Sequence, residues 1–311
     1  MGIWQSEIDH ALVECVPNFS EGRKPETIER LARAIESVDG AVVLDTHIDA
    51  DHNRSVITFV APPETVVAAA VGAVALAAEL IDLRTHTGQH PRLGATDVLP
   101  FIPVRGVTMD QCVALAHEAG LRIWNELSIP VYFYERAALL PGRVNLENVR
   151  RKGFEQLREE IGVDPVRAPD VGAARLHESA GAIAVSARPF LIAFNINLRT
   201  GDLSVAKQIA RAVRGRDGGL PQLKALGFQL ATRGLVQVSM NLVDYETTGL
   251  TQAYEAVRKE AERLGVEIAG TEIVGLIPEA ALDVNSEYFS RLENFGADAV
   301  IEHRLRSRLK H

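Results

Sequence analysis

The sequence predicts an α+β fold in two similar halves, each a mixed β-sheet with helices on its outer face. Strand-like apolar runs alternate with helical ones along the whole chain, and the second half repeats the β-α-β-β-α-β order of the first. Hydrophobic residues make up 47% of the 311 residues, enough for a core of normal size. We expect the two sheets to pack against each other with a substrate tunnel between them, which divides the chain into residues 1–187 and 188–311.

Composition and charge exclude several classes of protein. The net charge of −8 argues against a general nucleic-acid binder, whose surface would be basic. Cys15 and Cys112 are the only cysteines, too few for a four-cysteine zinc site or a disulfide framework. Together with the lack of a secretory signal near the first residue, they predict a cytoplasmic protein. The apolar run at 65–83 contains Gly72 and has acidic residues at its end, so it predicts a buried helix and no membrane span.

Strands and helices succeed one another regularly in the first half. Pro25 suits the first turn of one helix, a long alanine-rich helix follows Pro63, and Thr108 is placed to cap a third. Strands are predicted where β-rich runs are bounded by turns, or where prolines and glycine forbid a helix. These strands lie at 11–19, 40–49, 55–61, 97–106 and 130–135.

The chain then becomes polar and proline-spaced from Leu140 to Arg188, with one predicted helix at 146–161. Regular patterning resumes after this connection. Strands are predicted at 190–198, 227–234, 235–244 and 266–277, with helices at 202–214 and 250–264. No sequence repeat links the two halves, although their order of elements agrees.

Two histidines stand in an unusual stretch, "RTHTGQHPRLGATD" at 84–97. His86 and His90 are four residues apart, as in a helical zinc motif, but that motif needs a helix and a glutamate directly after the first histidine. Thr87 follows instead, and Pro91 biases His90 away from helical angles. A solvated polar loop is the plain alternative. Because the segment lies between two core elements, we favour a held loop in which His90 transfers protons.

Four long stretches resemble one known family. They are "VECVPNFSEGR" at 13–23, the run at 80–113, "FLIAFNINL" at 190–198 and "LVQVSMNLVDYETTGL" at 235–250, in the order that the family has them. Together they resemble the glutamate formiminotransferases of histidine degradation and one-carbon metabolism. The family's catalytic histidine lies in a "GEHPRMGA" context, which this chain writes as "GQHPRLGA". The resemblance therefore assigns that role to His90.

The resemblance also implies the reaction. The formimino group of N-formimino-L-glutamate would move to N5 of tetrahydrofolate, with tetrahydrofolate as co-substrate and no metal. It implies a homodimer as well. Because only about 30 residues follow the last family-like stretch, too few for a separate domain, we expect the product to pass to a separate cyclodeaminase. Three alternatives stay open: a non-catalytic folate-binding protein of the same fold, formyl transfer between 5-formyltetrahydrofolate and glutamate, and a metal-dependent hydrolase using both histidines.

A folate-binding loop is implied by the same resemblance at the segment "GAARLHESAG". Its residues are Gly172, Ala173, Ala174, Arg175, Leu176, His177, Glu178, Ser179, Ala180 and Gly181. From composition alone this segment is typical of a flexible linker.

Substrate-binding candidates follow from the chemistry of the reactants, both of which have carboxylates. Arg54 and Arg92 are placed to bind those carboxylates. Asn18 would contact substrate or simply close its turn. Asp45 would orient His90 or would only cap a strand end. The family has an aspartate where this chain has His47, so the resemblance does not assign the orienting role to Asp45.

Polar residues alternate along two strands of the second half, so each set shares one sheet face. Asn195 and Gln237 are the candidates among them for substrate contact across the expected tunnel. Exposed polar positions at a sheet edge are the plain alternative.

Overall fold

The computed structural model describes residues 11–50, 52–87, 92–293 and 295–309. The chain forms two compact units, Met1–Arg188 and Pro189–His311. In both units strands and helices alternate as the sequence predicts, and the α+β class is confirmed.

The first unit is built on a seven-stranded sheet. Its strands are β1 (Leu12–Cys15), β2 (Asn18–Phe19), β3 (Val42–Asp49), β4 (Arg54–Ala61), β5 (Thr96–Arg105), β6 (Val131–Glu135) and β7 (Ile183–Ala187). Both β1 and β2 pair with β4 and with β5, so they form one interrupted strand between these two neighbours. The interruption falls at Pro17, which has no N–H to donate to a ladder. The sheet is mixed, because β7 runs parallel to β5 and β6 while the other pairs are antiparallel.

Five helices belong to this unit among its described residues: α1 (Pro25–Glu36), α2 (Pro63–Leu80), α3 (Met109–Leu127), α4 (Leu146–Val149) and α5 (Gly153–Glu160). Thr108 caps α3 as predicted. Its hydroxyl accepts a bond from the Gln111 amide at 3.2 Å, while the Gln111 side chain accepts one from the Thr108 amide at 2.8 Å. By length and composition α2 would pass for a membrane span, yet eight of its side chains lie in the core of this unit.

The two faces of this sheet are covered differently. Alternate strand residues such as Val13, Phe101 and Val185 pack beneath the first three helices. On the opposite face Tyr132 and Tyr134 pack with residues of the connection that follows β6. That connection contains α4 and α5, and it brings charged side chains to the face that the first three helices leave open.

The connection at 140–188 differs from its prediction in two respects. The single helix expected at 146–161 is interrupted, because Lys152 and Gly153 both have left-handed φ values, 64° and 70°. Moreover, β7 was missed. All five of its residues are buried between two parallel neighbours, so it lacks the alternation that identifies a half-buried strand.

The second unit repeats the β-α-β-β-α-β order. Its strands are β8 (Ile192–Leu198), β9 (Leu223–Leu230), β10 (Leu235–Leu242) and β11 (Ile268–Val274), and its helices are α6 (Leu203–Val213), α7 (Leu250–Arg263), α8 (Glu287–Ser290) and α9 (Ile301–Leu309). The sheet order is β11-β8-β10-β9. Every pair is antiparallel, so the expectation of a mixed sheet is wrong for this unit. The packing of sheet against sheet, and the tunnel, stay predictions.

Candidate active site

His90, the candidate catalytic residue, lies outside the described residues together with Gly88, Gln89 and Pro91. The chain on both sides of it is described. The preceding segment, 84–87, and the following one, 92–97, are each fixed by side chains from distant parts of the first unit.

Asn53 fixes the segment that precedes His90. Its side-chain amide donates to the carbonyl of Thr87 at 2.9 Å, and its side-chain oxygen accepts from the Gly22 amide at 2.9 Å. The His86 ring, through Nε2, bonds the backbone carbonyl of Asn53 at 3.1 Å. Asn53 is buried and has a φ of 49°, the left-handed region that asparagine tolerates better than most residues. One buried side chain thus joins three segments.

Asp97 fixes the segment that follows His90. One carboxylate oxygen accepts from the Leu93 amide at 2.8 Å, and the other bonds the guanidinium of Arg150. The pairing of β2 with β5 passes from Val98 to Thr96, so Asp97 stands at an irregularity in the ladder. Such irregularities re-aim a side chain away from regular alternation.

Arg92 is nearly buried and paired. Its guanidinium lies 2.8 Å from the Glu155 carboxylate, and it also donates to the carbonyl of His86 at 3.1 Å. The nearby carboxylate of Asp97 bonds Arg150 and leaves Arg92 to Glu155. Glu155 is 63% exposed, so it compensates the charge of Arg92 only weakly.

Arg54 and Asn18 come together as candidate residues. The Arg54 guanidinium donates to the side-chain oxygen of Asn18, a neutral partner. Burial, and next the positive charge of Arg150, lower the pKa of Arg54. A half-buried cation whose hydrogen-bond partner is neutral is a site at which an anion would be stabilised.

His86 is held in one protonation state. Burial lowers the pKa of its imidazole, so it is neutral at pH 7. Its Nε2 then donates to the Asn53 carbonyl, and its Nδ1 is buried with no hydrogen-bond partner among the described residues. No three histidine, cysteine or acidic side chains of the described chain meet in a group that could hold a metal ion.

The implied folate loop, 172–181, is tied to both sides of the His90 segment. Leu83 donates its amide to the carbonyl of Ser179 at 2.9 Å, and Ala95 donates to the carbonyl of Ala180 at 2.9 Å. Within the loop, His177 and Gly181 exchange backbone hydrogen bonds. Gly181 has a φ of 72° and lies so close to the Leu93 carbonyl that a Cβ would collide with it at 2.3 Å. These hydrogen bonds and this close contact fix the segment within the first unit, so it is not a flexible linker.

A cleft of about 540 Å³ opens beside this loop. That volume falls in the range of small-molecule sites, about 300–1,000 Å³. Its lining combines the middle of the loop with α5 and the residues after it: Arg84, Phe154, Arg158, Glu159, Ile161, Gly162, Val163, Ala174, Arg175, Leu176, His177 and Glu178. Arg84 joins the cleft to the His90 segment and pairs with Glu178 at 2.8 Å.

Asn195 and Gln237 lie in the second unit, on the sheet face opposite its helices. Gln237 donates to Asn197 at 3.0 Å, and Asn195 donates to Glu272 at 3.1 Å. Asp45 lies in the first unit, in β3 opposite Thr58. The roles assigned to these residues, and to the whole loop, stay predictions.

Several residues of the site escaped the sequence analysis. Asn53 stands in a polar turn, and Arg150 and Glu155 in a polar connection, where nothing local separates them from solvated charges. Glu14 in β1 lines neither cavity but was missed as well, although an acidic residue between apolar neighbours is a visible anomaly. Burial raises the pKa of Glu14 to about 7, against the opposing effect of the positive Arg188.

Comparison with known protein families found matches over both units. Residues 12–188 match the model of the formiminotransferase domain, N-terminal subdomain, and residues 193–307 match the model of the formiminotransferase domain. A glutamate formimidoyltransferase of Thermoplasma acidophilum is 46% identical over 297 residues, 95% of this chain and 97% of that protein. Another, from Streptococcus pyogenes serotype M1, is 42% identical and covers 91% of this chain and 95% of its own length.

Longer relatives match over part of their length. The formimidoyltransferase-cyclodeaminase of Rattus norvegicus is 44% identical over 95% of this chain, which spans 55% of that protein. The fold is α+β in two units, and the similarity to these relatives indicates a transferase. The chain belongs to the formiminotransferase domain family.

Proposed function

We propose that the protein is a glutamate formimidoyltransferase, which transfers the formimino group of N-formimino-L-glutamate to N5 of tetrahydrofolate. The products are 5-formiminotetrahydrofolate and L-glutamate. The observation that carries this proposal is the family match over 12–188 and 193–307, together with 46% identity to a named glutamate formimidoyltransferase over nearly its whole length.

The reaction requires a proton to be moved twice. N5 of the folate must lose its proton as it attacks the formimino carbon, and the glutamate nitrogen must gain one as its bond to that carbon breaks. One imidazole can serve as base and then as acid, because its pKa lies near neutral pH. We assign this role to His90, supported by the fixed segments before and after it.

Both reactants are anionic, and the described residues on either side of His90 in the sequence lie close to arginines. Arg54 and Arg92 stand in the wall of one small cavity together with His86 and Asp97. For tetrahydrofolate we propose the cleft of about 540 Å³, because the implied folate loop forms one side of it. The aromatic ring of Phe154 and the apolar Leu176 line the same cleft and suit a flat ring.

Location, product release, oligomeric state and catalysis without a metal are also proposals. Buried free thiols at Cys15 and Cys112 support a reducing, cytoplasmic location. The Thermoplasma and Streptococcus relatives are named as glutamate formimidoyltransferases alone, which supports release of the product to a separate cyclodeaminase. A homodimer that uses no metal is supported only by the resemblance of the sequence to the family.

The test is release of L-glutamate by the pure protein from N-formimino-L-glutamate, with and without tetrahydrofolate. We expect release at enzymatic rates only with both reactants, and ammonia no faster than from free 5-formiminotetrahydrofolate. Glutamate release without folate would overturn the proposal in favour of a hydrolase. Folate binding without turnover would leave a binding protein, and equal rates with N-formyl-L-glutamate would indicate a formyl transferase. Ammonia that scales with protein concentration would overturn the separate cyclodeaminase.

A further inference from the structure

We propose that Arg54, supported by Arg150, forms a subsite for the α-carboxylate of the formimino donor. The inference rests on the proposed function for the identity of that donor. In this subsite Arg150 has a role that the proposed function does not give it. The subsite binds one of the two anionic reactants, the formimino donor, and not tetrahydrofolate.

Positive charge exceeds buried negative charge around Arg54. Arg54 and Arg150 are close enough for the charge of one to lower the pKa of the other. The carboxylate between them, Asp97, is shared between Arg150 and the Leu93 amide. Asp49 also acts on Arg54, but its side chain is 35% exposed and bonds His52 at 2.7 Å, so its charge is partly screened. Two guanidiniums therefore face one buried carboxylate, which leaves a positive excess at Arg54.

One hydrogen-bond donor of Arg54 is unused among the described residues. Arg54 donates through Nη2 to the neutral Asn18, and its Nε is buried without a hydrogen-bond partner among the described residues. A buried N–H without a partner costs free energy that a bound acceptor would recover. A carboxylate provides that acceptor together with the missing negative charge.

The cavity that Arg54 lines is small. Arg54 lines a space of about 10 Å³, and His86, Arg92 and Asp97 line it too. A space of this volume holds about one water-sized group. It therefore suits the oxygen of a carboxylate and excludes a ring such as that of the pteridine.

The position of this cavity favours the formimino donor over tetrahydrofolate. Arg92 follows His90 by two residues, so their Cα atoms are at most about 7.6 Å apart in any conformation. A carboxylate in the cavity that Arg92 lines is thus near the reacting atoms. In the donor, the α-carboxylate is attached to the carbon that bears the reacting nitrogen. In tetrahydrofolate, the glutamate carboxylates are separated from N5 by a benzoyl ring. Only the donor matches.

The experiment pairs a change in the protein with a change in the ligand. N-formimino-L-glutamate is compared with N-formimino-4-aminobutyrate, which lacks only the α-carboxylate, in wild type, Arg54→Met and Arg150→Met. We expect wild type to prefer the full donor by about 10- to 100-fold in kcat/KM, as for a charge-assisted hydrogen bond. Both variants should lose most of that preference while KM for tetrahydrofolate stays unchanged. Arg54→Lys should keep part of it, because the charge remains.

Arg122→Met, which removes an exposed charge from α3, is the matched control and should keep the full preference. A preference that persists undiminished in Arg54→Met would overturn the subsite, as would a rise in KM for tetrahydrofolate alone. Should a methionine variant fail to fold, Arg54→Lys decides between these outcomes. Binding of L-glutamate against 4-aminobutyrate by calorimetry tests the subsite without turnover, so a wild type that lacks transferase activity would overturn the function separately.

Discussion

The two sheets of the molecule differ in the chemistry of the face that their principal helices leave open. In the first unit this face includes Glu14 and Arg54 and meets Arg150 from the connection after β6. In the second unit the equivalent face has mainly amides, with Asn195, Asn197 and Gln237 bonded to one another or to Glu272. On these two faces the buried carboxylates Glu14 and Asp97, and the guanidinium of Arg150 that bonds Asp97, belong to the first unit, so we assign it the proton transfer and the anion binding. The amides of the second unit fit neutral, directional hydrogen bonding.

The largest effect should come from the first unit. His90→Ala is expected to lower kcat by about two to four orders of magnitude, the usual share of general acid–base catalysis, with folate binding largely kept. His86→Ala is the matched control and should be far milder, because that imidazole bonds the backbone of Asn53. Steady-state kinetics and folate titration check both. A loss below tenfold in His90→Ala would remove this residue from the mechanism.

Glu14→Gln tests the buried charge of the first unit through pH. Because the folded-state pKa is raised to about 7 from 4.5, the folded wild type holds a proton that the unfolded chain has released. This contribution to stability is complete below pH 4.5 and is lost as pH rises through 7. Between pH 5 and 8 the free energy of unfolding of wild type should therefore fall by about 3 kcal/mol relative to the variant. Urea titrations at both pH values measure it, and a constant difference would contradict the assignment.

Arg92→Leu separates binding from scaffolding. Loss of a charge-assisted hydrogen bond to a reactant should cost about 1.5–3 kcal/mol, seen as a raised KM for one substrate. Glu155→Gln is the comparison, because it removes the existing partner of Arg92 without removing the cation. Unchanged KM values for both substrates in Arg92→Leu would make this residue a structural tie between α5 and the His90 segment.

The smallest effect should come from the second unit. Gln237→Ala removes hydrogen bonds to Asn197 and Glu272 but no charge, so kcat/KM should fall by less than tenfold, about 1 kcal/mol. Gln229→Ala on the exposed part of β9 should have no effect on kinetics. If Gln237→Ala matched His90→Ala in severity, the division of labour between the two faces would be wrong.

Local sequence patterns predicted most of the helices and strands. These predictions failed where the conformation of a segment depends on contacts with residues far away in sequence. The strands predicted at 40–49 and 55–61 and the capped start of α3 are local features, and they are confirmed. β7 was missed because its small buried residues are defined by parallel neighbours far away in sequence. Lys152 also interrupts a helix that local spacing predicted as continuous.

The site divides in the same way. Arg54 and Arg92 were predicted from the charge of the reactants, and the 172–181 loop from family resemblance. Arg150 could not be found, because its partner Asp97 is 53 residues away. Asn53 could not be found either, since its bonds reach Gly22 and Thr87 across 31 and 34 residues.

Those separations bear on how the protein folds. The β3–β4 hairpin closes over a short turn, whereas the bonds of Asn53 require two distant segments to arrive on that hairpin afterwards. Distant contacts demand loop closure before they return any free energy, so they form late. During refolding, far-ultraviolet ellipticity should therefore recover before transferase activity. A chain that has regained its helices and strands should therefore stay inactive until Asn53 has formed its hydrogen bonds to Gly22 and Thr87.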